Sequence, residues 1–350
     1  MKIDLEKSSG LAKKYRNSAL RNHGQGGMNR SGGREMLLPI LSPSPRTFGI
    51  LCGQMCCNGI LSGVATIKSP ILHLNTPTID QKEMAFPDLH TIEPRSVHTH
   101  TVILLHGRSG NGPEFAEELL NSKTSEETTL IAKFPNCRWV FPTSRERWCS
   151  AFQRDLTAWF DVYSLSNTAD KQDLQIDGLR ESMLYILEVM DQEIDLLGGR
   201  LEKVVLGGFS LGMATALWTL LCSAGRFKGK IGAFIGMCGW LPFANEIEDI
   251  QFPNEMIPKL LLDTIRCEEQ VQASTAEAEA MLSTPVFLVH GADDTLIDVE
   301  VGRRVHRILT GLGMKSGWAE YVGAEKEGHW IKEPEGFDAI VQFLDAICAS

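Results

Sequence analysis

Paired cysteine motifs are missing from this chain of 350 residues. Its nine cysteines (Cys52, Cys56, Cys57, Cys137, Cys149, Cys222, Cys238, Cys267 and Cys348) are odd in number and follow no regular spacing. A disulfide framework is not expected in so long a chain, and without two CxxC pairs the usual zinc-ribbon reading falls away. Reduced thiols in a cytoplasmic protein are the expectation. An apolar leader is also missing. The opening stretch MKIDLEKSSGLAKKYRNSALRNHGQGG is polar and glycine-rich, so no secretory signal is read there. The uncharged stretch 47–67 has 21 residues, but four glycines together with Gln54 and Asn58 weaken its hydropathy. No stable membrane span is expected from it.

Positive charge is scarce in most of the chain. Residues 1–83 carry 11 Lys/Arg against 5 Asp/Glu, whereas the other 267 carry 23 against 39. Nucleic-acid binding needs a clustered positive field that this acidic body lacks, so nucleic acid is not expected as a partner. The basic segment 1–83 is expected to be a poorly structured extension. Met84 opens MAFPDLHTIEP just before the first convincing strand and offers an alternative start. The remaining span, 84–350, has the length and apolar content of one soluble domain with a substantial core.

What is present is an alternation. HTVILLHG (100–107), CRWVFPTS (137–144), KVVLGGFS (203–210), KIGAFIGMCGW (230–240), TPVFLVHG (284–291) and GWAEYVGA (317–324) read as strands. Between them run helical patterns. The clearest has Leu179, Met183, Ile186, Leu187 and Met190 on one face and stops at Gly198-Gly199. Strands that are apolar throughout belong to a parallel sheet covered on both faces, which predicts an α/β fold. One stretch interrupts the alternation. Residues 243–283 hold 9 acidic and 2 basic residues around the apolar MIPKLLLDTI. This acidic insertion is read as carrying a surface helix, either a cap over a site or an ordinary solvated segment.

The sequence Gly208-Phe209-Ser210-Leu211-Gly212 stands where a strand ends and a helix begins. G-x-S-x-G in that context predicts a nucleophile elbow, with small flanking residues so that strand and helix can approach. A serine nucleophile needs a base, and the base needs an orienting carboxylate. Three histidines lie downstream of Ser210: His290, His306 and His329. His290 closes a strand and His306 sits within a helix. His329 falls in a loop between the last strand and last helix, and is the predicted base. The acid is expected in HGADDTLIDVE, with Asp294 favoured, Asp293 its competitor, and Asp298 read as a helix cap. Backbone N–H groups of Leu211 and of Arg108, with Ser109 next, are the oxyanion-hole candidates. His106 is read as a structural residue of that second loop.

The segments ILLHGRSGNG, GGFSLGMA, GMCGWLPF, VHGADDTLI and EGHW together resemble the acyl-protein thioesterase / carboxylesterase branch of the α/β-hydrolase superfamily, in the right order over residues 97–348. The resemblance implies an α/β-hydrolase fold and hydrolysis of esters or thioesters, with neither metal nor organic cofactor. Its substrates would be acylated proteins, lysolipids or small esters. WCSAFQRDLTAWFD resembles the family element near the acyl groove, which implies Trp159, Phe160 and Trp330 as pocket residues. The charged 145–158 stretch departs from the apolar loop expected of a lipid-binding member. A peptidase or a non-catalytic hydrolase-fold binding protein are the alternatives, and no oligomeric state is read from the sequence.

Overall fold

A computed structural model describes residues 85–248, 256–267 and 273–349, all within one unit spanning Asp80–Ser350. The expected basic extension 1–83 lies outside the described residues. The predicted strands form β2 (His100–Leu105), β3 (Cys137–Phe141), β6 (Val204–Phe209), β7 (Ala233–Met237), β8 (Val286–Gly291) and β9 (Ser316–Tyr321). With β1 (His90–Ile92) they make a seven-stranded sheet in the order β1-β3-β2-β6-β7-β8-β9. β1 pairs antiparallel with β3, and every other neighbour is parallel.

Both faces of the sheet are covered, as wholly apolar strands require. In β2, Val102 and Leu104 face α1 (Gly112–Asn121), α2 (Leu130–Lys133) and α9 (Glu335–Cys348). Ile103 and Leu105 face the opposite layer, which holds α3 (Ile176–Leu196) and α4 (Leu211–Cys222). Every residue of α4 is buried. A helix apolar all round is stable in water only when sandwiched, and α4 has the sheet on one side and other helices around it. One of these is α6 (Met256–Thr264).

The structure departs from the expected surface helix at that point. Ile257, Leu261 and Ile265 of the MIPKLLLDTI segment are at most 1 % exposed and belong to the main core. Except for Asp263, the acidic residues of the insertion lie beside this apolar segment in sequence, and their charge masked a core helix. A second departure is the hairpin of β4 (Glu146–Cys149) and β5 (Arg154–Thr157), which lies apart from the main sheet within the charged 145–158 stretch. No helix among the described residues is long and apolar enough to cross a membrane.

The winding direction changes between β2 and β6: the chain passes from β2 outward to β3, then returns to β6 on β2's other side. Such a switch point opens a crevice at the carboxyl ends of the two strands, where ligands of open α/β sheets bind.

Candidate active site

Ser210 lies on that edge, between β6 and α4, with φ 54° and ψ −119°. Left-handed backbone at a non-glycine residue costs on the order of 1–3 kcal/mol and persists only where the surroundings enforce it. Here the Ser210 N–H donates to the Met237 carbonyl at 2.8 Å, pinning the turn to the neighbouring strand. The flanking glycines are a matter of space. A Cβ on Gly208 would stand 2.4 Å from the Gly212 carbonyl carbon. One on Gly212 would stand 2.3 Å from the Leu105 carbonyl oxygen and 2.5 Å from that of His106. The strand-to-helix approach therefore excludes any side chain at either position.

His329 comes from the loop between β9 and α9, pressed against the β8 loop. A Cβ on Gly328 (φ +85°) would meet the Asp293 carbonyl oxygen at 2.6 Å. The imidazole Nε2 is 2.9 Å from Ser210 Oγ, and Nδ1 is 2.6 Å from Asp294 Oδ2. The other Asp294 oxygen accepts from the Leu296 and Ile297 amides at 2.8 and 3.0 Å. The Asp294 side chain is fully buried. Burial alone would raise its pKa, but hydrogen bonds from His290 and His329, the His329 charge and the Ile297 amide together bring it well below the usual carboxylate range. It is thus an anion poised beneath the imidazole.

The two neighbouring aspartates do other things. Asp293 accepts the Gly323 amide at 2.9 Å, and Asp298 caps the helix Val299–Gly311 by accepting the Glu300 amide. Sequence reading missed His290, a buried residue whose Nε2 is 3.0 Å from the Ile297 carbonyl oxygen and 3.4 Å from Asp294 Oδ2. Its spacing, four residues before Asp294, was visible; its direction from a strand end into the carboxylate was not.

His106 is 1 % exposed. Its Nε2 accepts the Ser144 amide at 3.0 Å, which assigns the Nδ1 proton to the Gly107 carbonyl at 2.6 Å. Burial pushes its pKa down to about 4 against the opposing Gly107 bond, so at neutral pH it is an uncharged strut. Of the candidate oxyanion donors, Ser109 has its amide committed to the Thr157 carbonyl at 2.8 Å. Arg108 precedes it in the same loop, its guanidinium carbon 4.5 Å above the Phe152 ring. Leu211 is the first residue of α4, where an N–H has no acceptor within its own helix and the positive end of the helix dipole lies.

Trp159, Phe160 and Trp330 are all nearly or wholly buried. The Trp159 indole N–H donates to the His106 carbonyl at 2.8 Å, Phe160 packs edge-on to Trp240, and Trp330 lies between Phe115 and Phe209. These rings back the site from within the core and expose almost no surface to a groove. Cavities of about 350 Å³ beside Lys133 and Asp338 and about 230 Å³ beside Arg307 and Leu312 touch none of the residues above. The hydrogen-bond relay, rather than cavity size, marks this site.

Residues 87–263 match the model of the phospholipase/carboxylesterase family. Acyl-protein thioesterase 1 of Gibberella zeae is 27% identical over 253 residues, covering 71% of this chain and 91% of that protein. Acyl-protein thioesterase 1 of Candida albicans is 28% identical over 248 residues, or 70% and 91%. Among solved structures, Zea mays acyl-protein thioesterase 2 superposes with a TM-score of 0.56 at 26% identity, covering 75% of this chain and all of that one.

Proposed function

Because the chain belongs to the phospholipase/carboxylesterase family of ester and thioester hydrolases, we propose that it works through Ser210, His329 and Asp294. The observation that carries this reading is the continuous relay from the strained serine through the imidazole to a buried carboxylate. Ser210 Oγ attacks the acyl carbonyl while His329 Nε2 takes its proton. The imidazolium then protonates the departing thiol or alcohol, leaving an acyl-serine. Water, giving a proton to the same nitrogen, attacks that acyl group and releases the acid with Ser210 restored. Asp294 holds the Nδ1–H tautomer and stabilises the imidazolium.

The Leu211 and Arg108 amides hold the developing oxyanion, each worth about 10²–10³ in rate. Trp159, Phe160 and Trp330 support the acyl site from behind. The likeness to acyl-protein thioesterases supports a protein-bound acyl thioester as the substrate. The charged hairpin beside the site, with Glu146, Arg147, Arg154 and Asp155, favours a second reading, a small short-chain ester.

The test is a chain-length series of p-nitrophenyl esters and acyl thioesters, run beside Ser210→Ala. Serine-dependent turnover that rises to long chains supports the acyl-protein reading, and a peak at two to four carbons supports the small-ester one. Turnover unchanged in Ser210→Ala would overturn the mechanism.

A further inference from the structure

At the opposite edge of the sheet, β2 and β3 begin side by side, with His100 paired in register with Cys137. Paired residues of a parallel ladder project to the same face, and on this face lies α9, which ends at Cys348. A ring nitrogen of His100 and the sulfurs of Cys137 and Cys348 come within 4.8 Å of one another. This is the only such group of three among the described residues. His100 and Cys137 are each 3 % exposed, and Cys348 is partly buried.

The imidazole supplies an independent observation. His100 Nδ1 is 2.9 Å from Thr99 Oγ1, whereas Nε2 is buried with no hydrogen-bond partner among the described residues. A buried polar atom left without a partner is costly, and native structures keep few of them. A tautomer with Nδ1–H donated to Thr99 leaves the Nε2 lone pair aimed away from that hydroxyl, the arrangement by which metal-bound histidines are oriented.

We propose that His100 Nε2, Cys137 Sγ and Cys348 Sγ bind a thiophilic divalent cation, Zn²⁺ foremost, as a structural clip between α9 and the sheet. Two thiolates and one imidazole match the ligand preference of zinc, and the sulfurs disfavour Mg²⁺ and Ca²⁺. The two thiols lose their protons to solvent on binding, so the cation and its ligands are together neutral. Solvent reaches a fourth position past the partly exposed Cys348. A disulfide between the two cysteines would leave the His100 nitrogen unexplained; a cation accounts for all three groups. The six residues of β2 put the clip about 20 Å from the oxyanion loop, so it holds the fold and takes no part in hydrolysis.

The experiment is Co²⁺ titration of the full, freshly reduced chain, read by the thiolate-to-cobalt charge-transfer absorption, with Zn²⁺ competition. Wild type is expected to take up one equivalent with that absorption, and Zn²⁺ to displace it and raise Tm. Loss of an outer partner alone costs about 10–100-fold in metal affinity. Cys348→Ser and His100→Ala should therefore each weaken binding by more than about tenfold, while Cys267→Ser, outside the group, leaves it unchanged. Cys348→Ser lies at a helix end and should keep the metal-free Tm, which separates loss of a ligand from loss of fold. No charge-transfer band, or a band that survives both ligand variants, overturns the proposal. So does a Cys137–Cys348 disulfide in the isolated chain whose reduction yields no cobalt binding.

Discussion

Gly212→Ala tests the elbow through its least forgiving contact. The new Cβ would sit 2.3 Å from the Leu105 carbonyl oxygen, about 1 Å inside ordinary van der Waals contact. That oxygen belongs to β2, hydrogen-bonded between β3 and β6, and cannot swing aside. The start of α4 must instead back off by about 1 Å, carrying Ser210 away from His329 and the Leu211 amide away from any bound oxyanion. A misplacement of about 1 Å at reacting groups costs on the order of 10²-fold, equivalent to about 2.7 kcal/mol of transition-state stabilisation. Overpacking of this kind also costs about 1–3 kcal/mol of stability, a Tm fall of several degrees for a domain this size. The assay is kcat/KM on a p-nitrophenyl ester with a parallel melt. Gly311→Ala is the control, since a Cβ there meets nothing within 4 Å and a helical Gly→Ala is neutral or mildly stabilising. If Gly212→Ala keeps kcat/KM within threefold and Tm unchanged, the steric account of the elbow is wrong.

Three further expectations concern other parts of the molecule. Asp294→Asn should preserve the fold yet lower kcat by about 10⁴, because the amide stabilises the wrong imidazole tautomer; single-turnover kinetics would read it, and a loss below tenfold would remove Asp294 from the relay. His106 has a folded-state pKa of about 4 against 6.5 unfolded, so the unfolded chain binds the extra proton between those values and stability falls as pH drops from 6.5 to 4. The drop is up to about 3 kcal/mol, and His106→Asn should flatten urea-measured stability across that window. Asp294 is also shifted downward, so its contribution has the same sign: stability that is present above its unfolded value near 4 and is lost as pH falls below it. Leu261→Ala in α6 should cost about 2–5 kcal/mol in denaturant unfolding while leaving KM alone; a changed KM with unchanged stability would restore the reading of this helix as a cap.

The elbow, the β-strand alternation and the His329 loop were legible because each follows from a local constraint: glycine spacing, apolar runs, or a histidine placed after the last strand. The Asp293–Asp294 choice was harder. Adjacent residues point in different directions, and only the fold sends one to the imidazole and the other to the Gly323 amide. Helix α6 was misplaced because nine acidic residues in the insertion outweighed the six apolar ones of MIPKLLLDTI in a reading based on local charge. The β4–β5 strands escaped for a related reason: Glu146–Cys149 and Arg154–Thr157 lack the apolar alternation that marks a half-buried strand. His100 gave no sign at all, since its partners lie 37 and 248 positions away in the sequence.

The 2.8 Å bond from the Ser109 amide to the Thr157 carbonyl has a consequence for how such an enzyme can diversify. It latches the outer hairpin to the loop proposed to carry an oxyanion donor. Selectivity and turnover are thereby geared together: exchanging the hairpin for a relative's shifts kcat along with KM, and specificity drifts only along paths that keep the latch shut.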